Sequence, residues 1–343
     1  MFLSDIRIMG EFFAIVDMGT TNTRLTIVDP SGKVHDSVKG EFGVKDRAAT
    51  GNREILIKGL NQLLTEAARN KGILLSQIDC MLCSGMITSE IGLIDIPHRI
   101  APVDANDLAA HAQEVSMPEI LPAPIIFIPG VKNKVERPSV DSLEEMDFMR
   151  GEETQVFGAI ELYGVEVPVT FMFLSSHTKL VDIDENHRIT RSFTTLSGQI
   201  FNAFRFQSLL ASSIPEKDPT SVHEEGLFRG VKSGLKNGNL RAALMVRFMD
   251  TLIQTSPEER LAFLEGIIIA SDIQAIKNSY PHMRRRVAIL GHRLRSEAYR
   301  VAFKTFLDPS LECIYLGEQS MDRSALHGAL RIANLRSRSP SVK

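Results

Sequence analysis

The stretch that decides the fold runs from Phe12 to Val28 and reads Phe-Phe-Ala-Ile-Val-Asp17-Met-Gly19-Thr20-Thr21-Asn22-Thr-Arg24-Leu-Thr-Ile-Val. It predicts an apolar strand with a carboxylate near its end, a turn rich in glycine and hydroxyl groups, and a second apolar strand that follows at once. Gly19 has no Cβ and lets the backbone approach a ligand, while the amides and the side chains of Thr20, Thr21 and Asn22 can donate to anionic oxygens. The turn therefore has the chemistry of a phosphate-binding loop.

Asp17 adds a requirement to this loop. Its carboxylate would face the same anionic oxygens, and a hard cation such as Mg²⁺ would have to lie between them. The motif is neither Gly-x-x-x-x-Gly-Lys-Ser/Thr nor a Gly-x-Gly-x-x-Gly that opens a helix, so P-loop and dinucleotide sites are disfavoured. An ordinary hairpin turn is the alternative, because Asp, Gly, Asn and Thr are common in turns.

The same arrangement is predicted twice. In the first half, a strand at Lys33 to Val38 and a helix at Arg53 to Asn70 follow the hairpin. In the second half, the apolar strand Val169 to Leu174 leads into the polar turn Ser175-Ser176-His177-Thr178-Lys179. The strands Leu180 to Ile183 and Arg188 to Thr195 and the helix Gln199 to Ala211 then follow. Two such units indicate an internal duplication.

The remaining pattern completes two domains, predicted at 1–165 and 166–343. The first would also contain the strands Ile78 to Cys83 and Ile125 to Ile128. The second would end with the strands Arg286 to Leu290 and Leu311 to Leu316 and a helix at Ser320 to Leu335. At 343 residues the chain is long enough for two separate cores.

On these residues the chain resembles the 2-dehydro-3-deoxygalactonokinases, within the superfamily of actin, heat-shock chaperone ATPases and sugar kinases. The motifs that carry the resemblance are Asp17 to Arg24, Ser84-Gly85-Met86, Ile128-Pro129-Gly130, Phe148-Met149-Arg150-Gly151-Glu152-Glu153-Thr154-Gln155, Ser176 to Lys179, and Phe193 to Gly198. The resemblance implies an α/β fold of two ribonuclease-H-like (actin-like ATPase) domains with a nucleotide cleft between them. It also implies ATP and Mg²⁺ as cofactors, with Asp17 as the metal residue.

Asp147 is the candidate catalytic base, since phosphoryl transfer to a hydroxyl needs one oriented carboxylate. It is predicted at the start of a helix from Phe148 to Leu162, where the alternative role is a helix N-cap. Arg150, one turn on, would share its helix face and pair with the carboxylate of a sugar acid. Glu152 and Glu153 would either orient Arg150 or cover a solvated face.

The second phosphate contact is predicted at Ser176, His177, Thr178 and Lys179, where Lys179 or His177 could neutralise charge that develops during transfer. The alternative is a polar hairpin turn. The strand-to-helix turn that contains Gly291 resembles the superfamily's adenosine loop.

Substrate contacts are predicted from Arg24, Ser84, Gly85, Met86, Glu90, His98 and Arg150. The chain departs from the family pattern here, because Glu90, Leu93 and His98 stand where the family has an Arg, a Trp and a Tyr. The second phosphate loop also lacks the family's glycine and its aromatic residue.

Composition excludes other classes. A net charge of -3 shows no bias toward nucleic acid, and no apolar run is long enough for a membrane span, so a cytoplasmic protein is expected. The three cysteines give no disulfide framework. Cys80 and Cys83 have metal-site spacing, but three-residue spacing in a strand places them on opposite faces, which favours buried thiols.

Taken with these observations, the resemblance implies an enzyme that phosphorylates 2-dehydro-3-deoxygalactonate with ATP at the 6-hydroxyl, in galactonate or galactose catabolism. Its expected partners are ATP and a 2-keto-3-deoxy sugar acid, without nucleic acid or membrane, and a homodimer is left open. The alternatives are a kinase of a different sugar or sugar acid, and a non-catalytic paralogue that binds a sugar acid.

Overall fold

The structure is a computed structural model that describes residues 11–281 and 283–338. Fourteen strands lie within these ranges: β1 (Phe12–Met18), β2 (Thr23–Val28), β3 (Val34–Gly40), β4 (Ile78–Gly85), β5 (Arg99–Ile100), β6 (Gln113–Met117), β7 (Leu121–Phe127), β8 (Val131–Lys132), β9 (Phe148–Met149), β10 (Val169–Leu174), β11 (Thr178–Ile183), β12 (Ile189–Thr195), β13 (Arg286–Gly291) and β14 (Glu312–Tyr315).

The α-helices of the same ranges are α1 (Val44–Thr50), α2 (Glu54–Lys71), α3 (Ala105–His111), α4 (Glu152–Tyr163), α5 (Ser197–Gln207), α6 (Glu224–Asn237), α7 (Asn239–Phe248), α8 (Pro257–Ser279), α9 (Arg293–Phe306) and α10 (Ser320–Arg338). Short 3₁₀ turns occupy Leu75–Gln77, Met86–Thr88, Val140–Glu145 and Ala211–Ser213, and a π-helical turn covers Met249–Ile253. None of the helices in the described ranges is long and apolar enough to cross a membrane.

Two sheets with matching topology confirm the predicted duplication and the α/β class. The first has the strand order β3-β2-β1-β4-β7-β6, and the second has β12-β11-β10-β13-β14. In each, an antiparallel three-strand meander is followed by a strand parallel to the first strand of the meander. The apolar runs of β1 and β10 are buried, as expected for strands covered on both faces.

The registers bring equivalent positions together at the carboxyl ends of the central strands. In the first sheet Asp17 lies opposite Ser84 and Met18 opposite Gly85. In the second, Leu174 lies opposite Gly291. Each loop that follows β1 or β10 therefore begins beside a glycine that ends the neighbouring parallel strand.

Cys80 and Cys83 lie on opposite faces of β4, and both thiols are free and buried, as predicted. Cys80 belongs to the core that joins the two halves, whereas Cys83 belongs to the core under α2. Burial raises the pKa of the Cys80 thiol to about 12, so it stays protonated.

The predicted helix from Phe148 to Leu162 is wrong at its start. Phe148–Met149 forms β9, which pairs antiparallel with β8 in a three-stranded sheet β5-β8-β9. Gly151 has φ 114, a left-handed conformation that favours glycine, and α4 begins only at Glu152. Asp147 is consequently not a helix N-cap, and it does not share a helix face with Arg150.

The two halves meet where α4 crosses α10. A Cβ on Gly158 would lie 2.5 Å from the amide nitrogen of Gly328 and would overlap the carbonyl of Ser324. A Cβ on Gly328 would in turn overlap the carbonyl of Thr154. The crossing thus brings the two backbones into direct contact, and the helix that ends the second half packs on the helix that ends the first. The division at 165/166 stays a prediction.

We expect Gly158→Ala to lower the free energy of unfolding by about 2 kcal/mol or more, since the added methyl has to push two helix backbones apart. Gly164→Ala is the control: its Cβ meets no atom within 4 Å, so only the cost of its positive φ, about 1 kcal/mol, should appear. Urea denaturation followed by circular dichroism measures both. Equal losses in the two variants would contradict this description of the crossing.

Candidate active site

The first phosphate loop is a tight turn that helix α1 holds in place. The amide of Gly19 donates to the carbonyl of Asn22 at 2.9 Å, and Thr20, Thr21 and Asn22 are exposed. The carbonyl of Thr20 accepts from the amide of Lys45 at 3.1 Å, at the start of α1. The predicted phosphate ligands are therefore open to solvent on a fixed backbone.

Asp17 lies at the root of this loop with its carboxylate enclosed by glycine backbone. A Cβ on Gly85 would be 3.0 Å from Asp17 Oδ1, and one on Gly151 would be 3.8 Å from it. Burial, together with the nearby charges of Glu152 and Asp322, raises the pKa of Asp17 to about 6, although the charge of Arg24 acts in the opposite direction. A carboxylate in such surroundings is stabilised by a cation.

Within the described part of the chain, no group of three or more His, Cys, Asp or Glu side chains could hold a metal ion by itself. A hard cation such as Mg²⁺ keeps several waters and is usually bound through one or two carboxylates together with substrate phosphates. Asp17 and the adjoining loop supply that kind of donor set.

Asp147 stands just before β9 and is held on three sides. Its Oδ1 accepts from the amide of Phe148 at 2.6 Å and from Thr194 Oγ1 at 3.0 Å. Lys179 Nζ lies 3.9 Å from the same oxygen. Burial raises the pKa of Asp147, while Lys179, Thr194 and Phe148 hold it down. The result is an oriented, partly desolvated carboxylate.

Lys179 connects the second half to this carboxylate. Its side chain is 8 % exposed, and Nζ donates to the carbonyl of Phe148 at 2.7 Å. Glu152 lies close enough to Asp17, Asp147 and His177 for its charge to raise the pKa of each. The beginnings of both predicted phosphate loops and the candidate base therefore surround the start of α4.

In the second predicted phosphate loop, only some of the predicted phosphate-binding side chains face solvent. Ser175 donates its amide to the carbonyl of His177 at 3.0 Å, and Ser176 is exposed while His177 is half-buried. Thr178, in contrast, is buried, and its hydroxyl bonds to that of Tyr299 at 2.9 Å. The side chain of Thr178 is thus directed into the protein, so that only its backbone remains for a phosphate.

A buried polar network supports this loop from below. Tyr299 donates to Asp272 Oδ2 at 2.6 Å, and Thr195 and Ser197 donate to Asp272 Oδ1 at 2.6 and 2.5 Å. It joins β11, β12, α5, α8 and α9. Thr195 and Ser197 lie in the motif Phe193 to Gly198, but Asp272 and Tyr299 are far from it in the sequence and belong to no motif, so the sequence analysis did not find them.

Gly291 mirrors Gly85. Gly85 has φ 88, and its Cβ would lie 2.5 Å from the carbonyl of Met18; Gly291 has φ 150, and its Cβ would lie 2.6 Å from the carbonyl of Leu174. Both glycines therefore let the first strand of a unit end against its parallel neighbour. The hydroxyl of Tyr315 donates to the carbonyl of Gly291 at 3.2 Å.

A cavity of about 560 Å³ opens beside Asp147. Its lining combines the candidate base with apolar side chains and cations: His98, Ile100, Lys132, Asn133, Lys134, Val135, Glu136, Pro138, Met146, Asp147 and Phe148. The ring of His98 packs edge-on against Phe148, with centroids 5.4 Å apart. Of the predicted substrate residues, His98 lines this cavity. The sequence analysis did not identify Lys132 and Lys134, because isolated lysines among polar residues are typical of any solvated surface.

Arg150 lies behind the cavity. Its side chain is 4 % exposed, and the guanidinium donates to Thr88 Oγ1 and to the carbonyl of Ile96, each at 2.9 Å, with Asp95 at 3.9 Å. These contacts fasten the segment that follows β4. The predicted contact of Arg150 with a substrate carboxylate stays a prediction.

The glutamates after Arg150 have different surroundings. Glu153 is fully buried, and both its carboxylate oxygens lie 2.8 Å from the amide of Gly151, which donates to them. Burial raises the pKa of Glu153 to about 7. The idea that Glu153 covers a solvated face is therefore wrong, whereas Glu152 is partly exposed.

The other predicted substrate residues are distributed around the end of β4. Ser84 is buried in the strand and Met86 is half-buried, while Glu90 is exposed. Arg24 forms an ion pair with Asp322 of α10. Leu93, which stands where the family has a Trp, is 3 % exposed and belongs to the core under α2.

The chain is similar to known proteins in both sequence and structure. A protein from Rhizobium meliloti (strain 1021), described as "Probable 2-dehydro-3-deoxygalactonokinase DgoK1", is 25% identical over 264 residues, which cover 76% of this chain and 79% of the relative. A crystal structure of a "putative 2-dehydro-3-deoxygalactonokinase protein" from Sinorhizobium meliloti superposes with a TM-score of 0.71 at 22% identity, over 93% of this chain and 98% of that one.

The fold extends to more distant proteins. The activator of the 2-hydroxyisocaproyl-CoA dehydratase from Clostridium difficile, solved with bound ADPNP, gives a TM-score of 0.51 at 11% identity, over 97% of this chain and 98% of that one. This likeness concerns the fold, which is that of the actin-like ATPases and sugar kinases. The model of the 2-keto-3-deoxy-galactonokinase family matches residues 17–316, and the chain belongs to that family.

Proposed function

We propose that this protein transfers the γ-phosphoryl group of ATP to the 6-hydroxyl of 2-dehydro-3-deoxygalactonate, as a step of galactonate or galactose catabolism. The observation that carries the proposal is the position of Asp147, at the edge of a cavity of about 560 Å³ and 3.9 Å from the ammonium of Lys179. A carboxylate and a cation side by side are the two groups that a hydroxyl acceptor and a transferred phosphoryl group require.

ATP would lie between the two phosphate loops, in a cleft between the proposed domains. Gly19, Thr20, Thr21 and Asn22 would donate to its phosphates from one side, and Ser176, His177 and the backbone of Thr178 from the other. Gly291 would allow the nucleoside to approach the backbone. Asp17 would hold Mg²⁺ together with the phosphate oxygens, and the ion would neutralise their charge.

Asp147 would act as the general base. Its carboxylate is fixed by Thr194 and by the amide of Phe148, so it can accept the proton of a hydroxyl bound in the cavity without reorienting. Because burial raises the pKa of Asp147, its carboxylate binds a proton more readily than an ordinary aspartate does. Lys179 would offset negative charge on the transferred group.

Asp147→Asn removes the base and keeps the shape of the side chain. We expect kcat to fall by a factor on the order of 10² or more while KM for ATP stays nearly constant. ADP release in the presence of 2-dehydro-3-deoxygalactonate measures both, with a panel of neutral sugars and other sugar acids for comparison. A variant that keeps near-normal kcat would remove Asp147 from this role.

Thr194→Val tests the electrostatics of the base. The Thr194 hydroxyl stabilises the ionised carboxylate, so its loss should raise the pKa of Asp147 and shift the acidic limb of the kcat profile to higher pH, by up to about one unit. At alkaline pH the two enzymes should converge. Thr190→Val, on the same strand but bonded to the carbonyl of Asp182, should leave the profile in place. A shift to lower pH would contradict the assignment.

Tyr299→Phe removes the hydroxyl that links Thr178 to Asp272. Loss of a buried hydrogen bond should cost about 1 to 3 kcal/mol of stability and loosen the second phosphate loop. We therefore expect KM for ATP to rise several-fold and KM for the acid to change little. Tyr163→Phe, at the end of α4, is the control. If Tyr299→Phe is destabilised but keeps the wild-type KM for ATP, the buried network does not support nucleotide binding and the prediction is wrong.

A further inference from the structure

The cavity beside Asp147 contains one feature that the proposed reaction does not yet use. Lys132 projects from β8, opposite Phe148 in β9 and beside Ile100 in β5, and all three line the cavity. Residues directly opposite in a sheet share a face, so Lys132 lies on the same face of this sheet as Ile100 and Phe148. Both of these apolar side chains are exposed, at 54% and 61%.

The neighbouring cations are all engaged. Arg150 uses its guanidinium on Thr88 and Ile96, and Lys179 on Phe148 and Asp147. Lys134 forms an ion pair with Glu136 at 3.7 Å. Lys132, which is exposed, has no carboxylate within ion-pair distance in the ranges 11–281 and 283–338.

His98, which also lines the cavity, does not provide a positive charge there. Burial, together with the charges of Arg150 and Lys132, lowers the pKa of His98 to about 4, so its ring is neutral at physiological pH. Among the described residues that line this cavity, Lys132 is therefore the cation that has no carboxylate within ion-pair distance.

The position of Lys132 relative to Asp147 is fixed by the adjacent residue. The backbone amide of Asn133 donates to the carbonyl of Asp147 at 2.9 Å. The buried Asn133 side chain donates to the carbonyls of Glu145 and Ser192 at 3.0 Å each and accepts from the amide of Ser192 at 2.8 Å. Lys132 and the base thus belong to one rigid piece of sheet, with the cavity along it.

We infer that Lys132 binds the carboxylate of the acceptor and so selects sugar acids over neutral sugars. This rests on the proposed function and names the group that sets its specificity. A linear sugar acid would lie along the sheet with its terminal hydroxyl at Asp147, its carbon chain over Phe148 and Ile100, and its carboxylate on the Lys132 ammonium. The partly apolar surroundings strengthen that charge pairing.

Lys132→Met keeps the length of the side chain and removes its charge. We expect KM for 2-dehydro-3-deoxygalactonate to rise about tenfold to a hundredfold, with KM for ATP unchanged and kcat within about threefold. The amide of the same acid, which lacks the charge, should be used equally well by both enzymes. Lys132→Arg should restore most of the affinity, since it restores the cation.

Lys134→Met is the matched control, because it removes a nearby cation that already has a partner; it should change KM for the acid less than about threefold. If wild-type protein phosphorylates the acid and Lys132→Met does so with the same KM, the role of Lys132 is overturned and the proposed function stands. If the wild type prefers neutral sugars to every sugar acid, the proposed substrate class and the anchor are both overturned.

Discussion

The contact on which the rest of this structure depends is the crossing of α4 and α10 at Gly158 and Gly328. It brings two helix backbones together without intervening side chains and so sets the separation of the two halves. Because α4 begins two residues after Arg150 and α10 carries Asp322, which pairs with Arg24, the same crossing aligns the functional groups of both halves. A wider crossing would move Lys179 away from Asp147.

Glycine has a second use at the ends of the central strands. Gly85 and Gly291 hold positive φ angles where each unit's first strand meets its parallel neighbour, and Gly151 holds a positive φ where α4 begins near Asp17. A side chain on Gly85 or Gly291 would overlap the carbonyl of Met18 or Leu174. Backbone proximity, rather than a dense set of side-chain ligands, therefore forms the candidate nucleotide site.

The negative charges around the start of α4 would favour a metal ion, bound together with an anionic ligand. Asp17, Asp147 and Glu153 are desolvated carboxylates whose pKa values burial raises, and Glu152 adds a further negative charge near them. The positive charge of Lys179 offsets the negative charge only of the carboxylates close to it, such as Asp147. Such an arrangement is costly in the protein alone, and a bound metal ion would relieve part of that cost. Lys132, in contrast, is exposed at the cavity beside Asp147 and has no carboxylate within ion-pair distance among residues 11–281 and 283–338.

The sequence by itself determined the α/β duplication, the strands of both meanders, the opposite faces of Cys80 and Cys83, and the family, because these follow from local periodicity and from contiguous motifs. It misplaced the segment at Phe148, where pairing with β8 and the positive φ of Gly151 override a helical pattern. Only the tertiary contacts show that Arg150 is bonded to Thr88 and Ile96, that Thr178 turns inward to Tyr299, and that Lys132 and Asp147 line one cavity. Those facts depend on contacts between residues far apart in the chain, which no local pattern records.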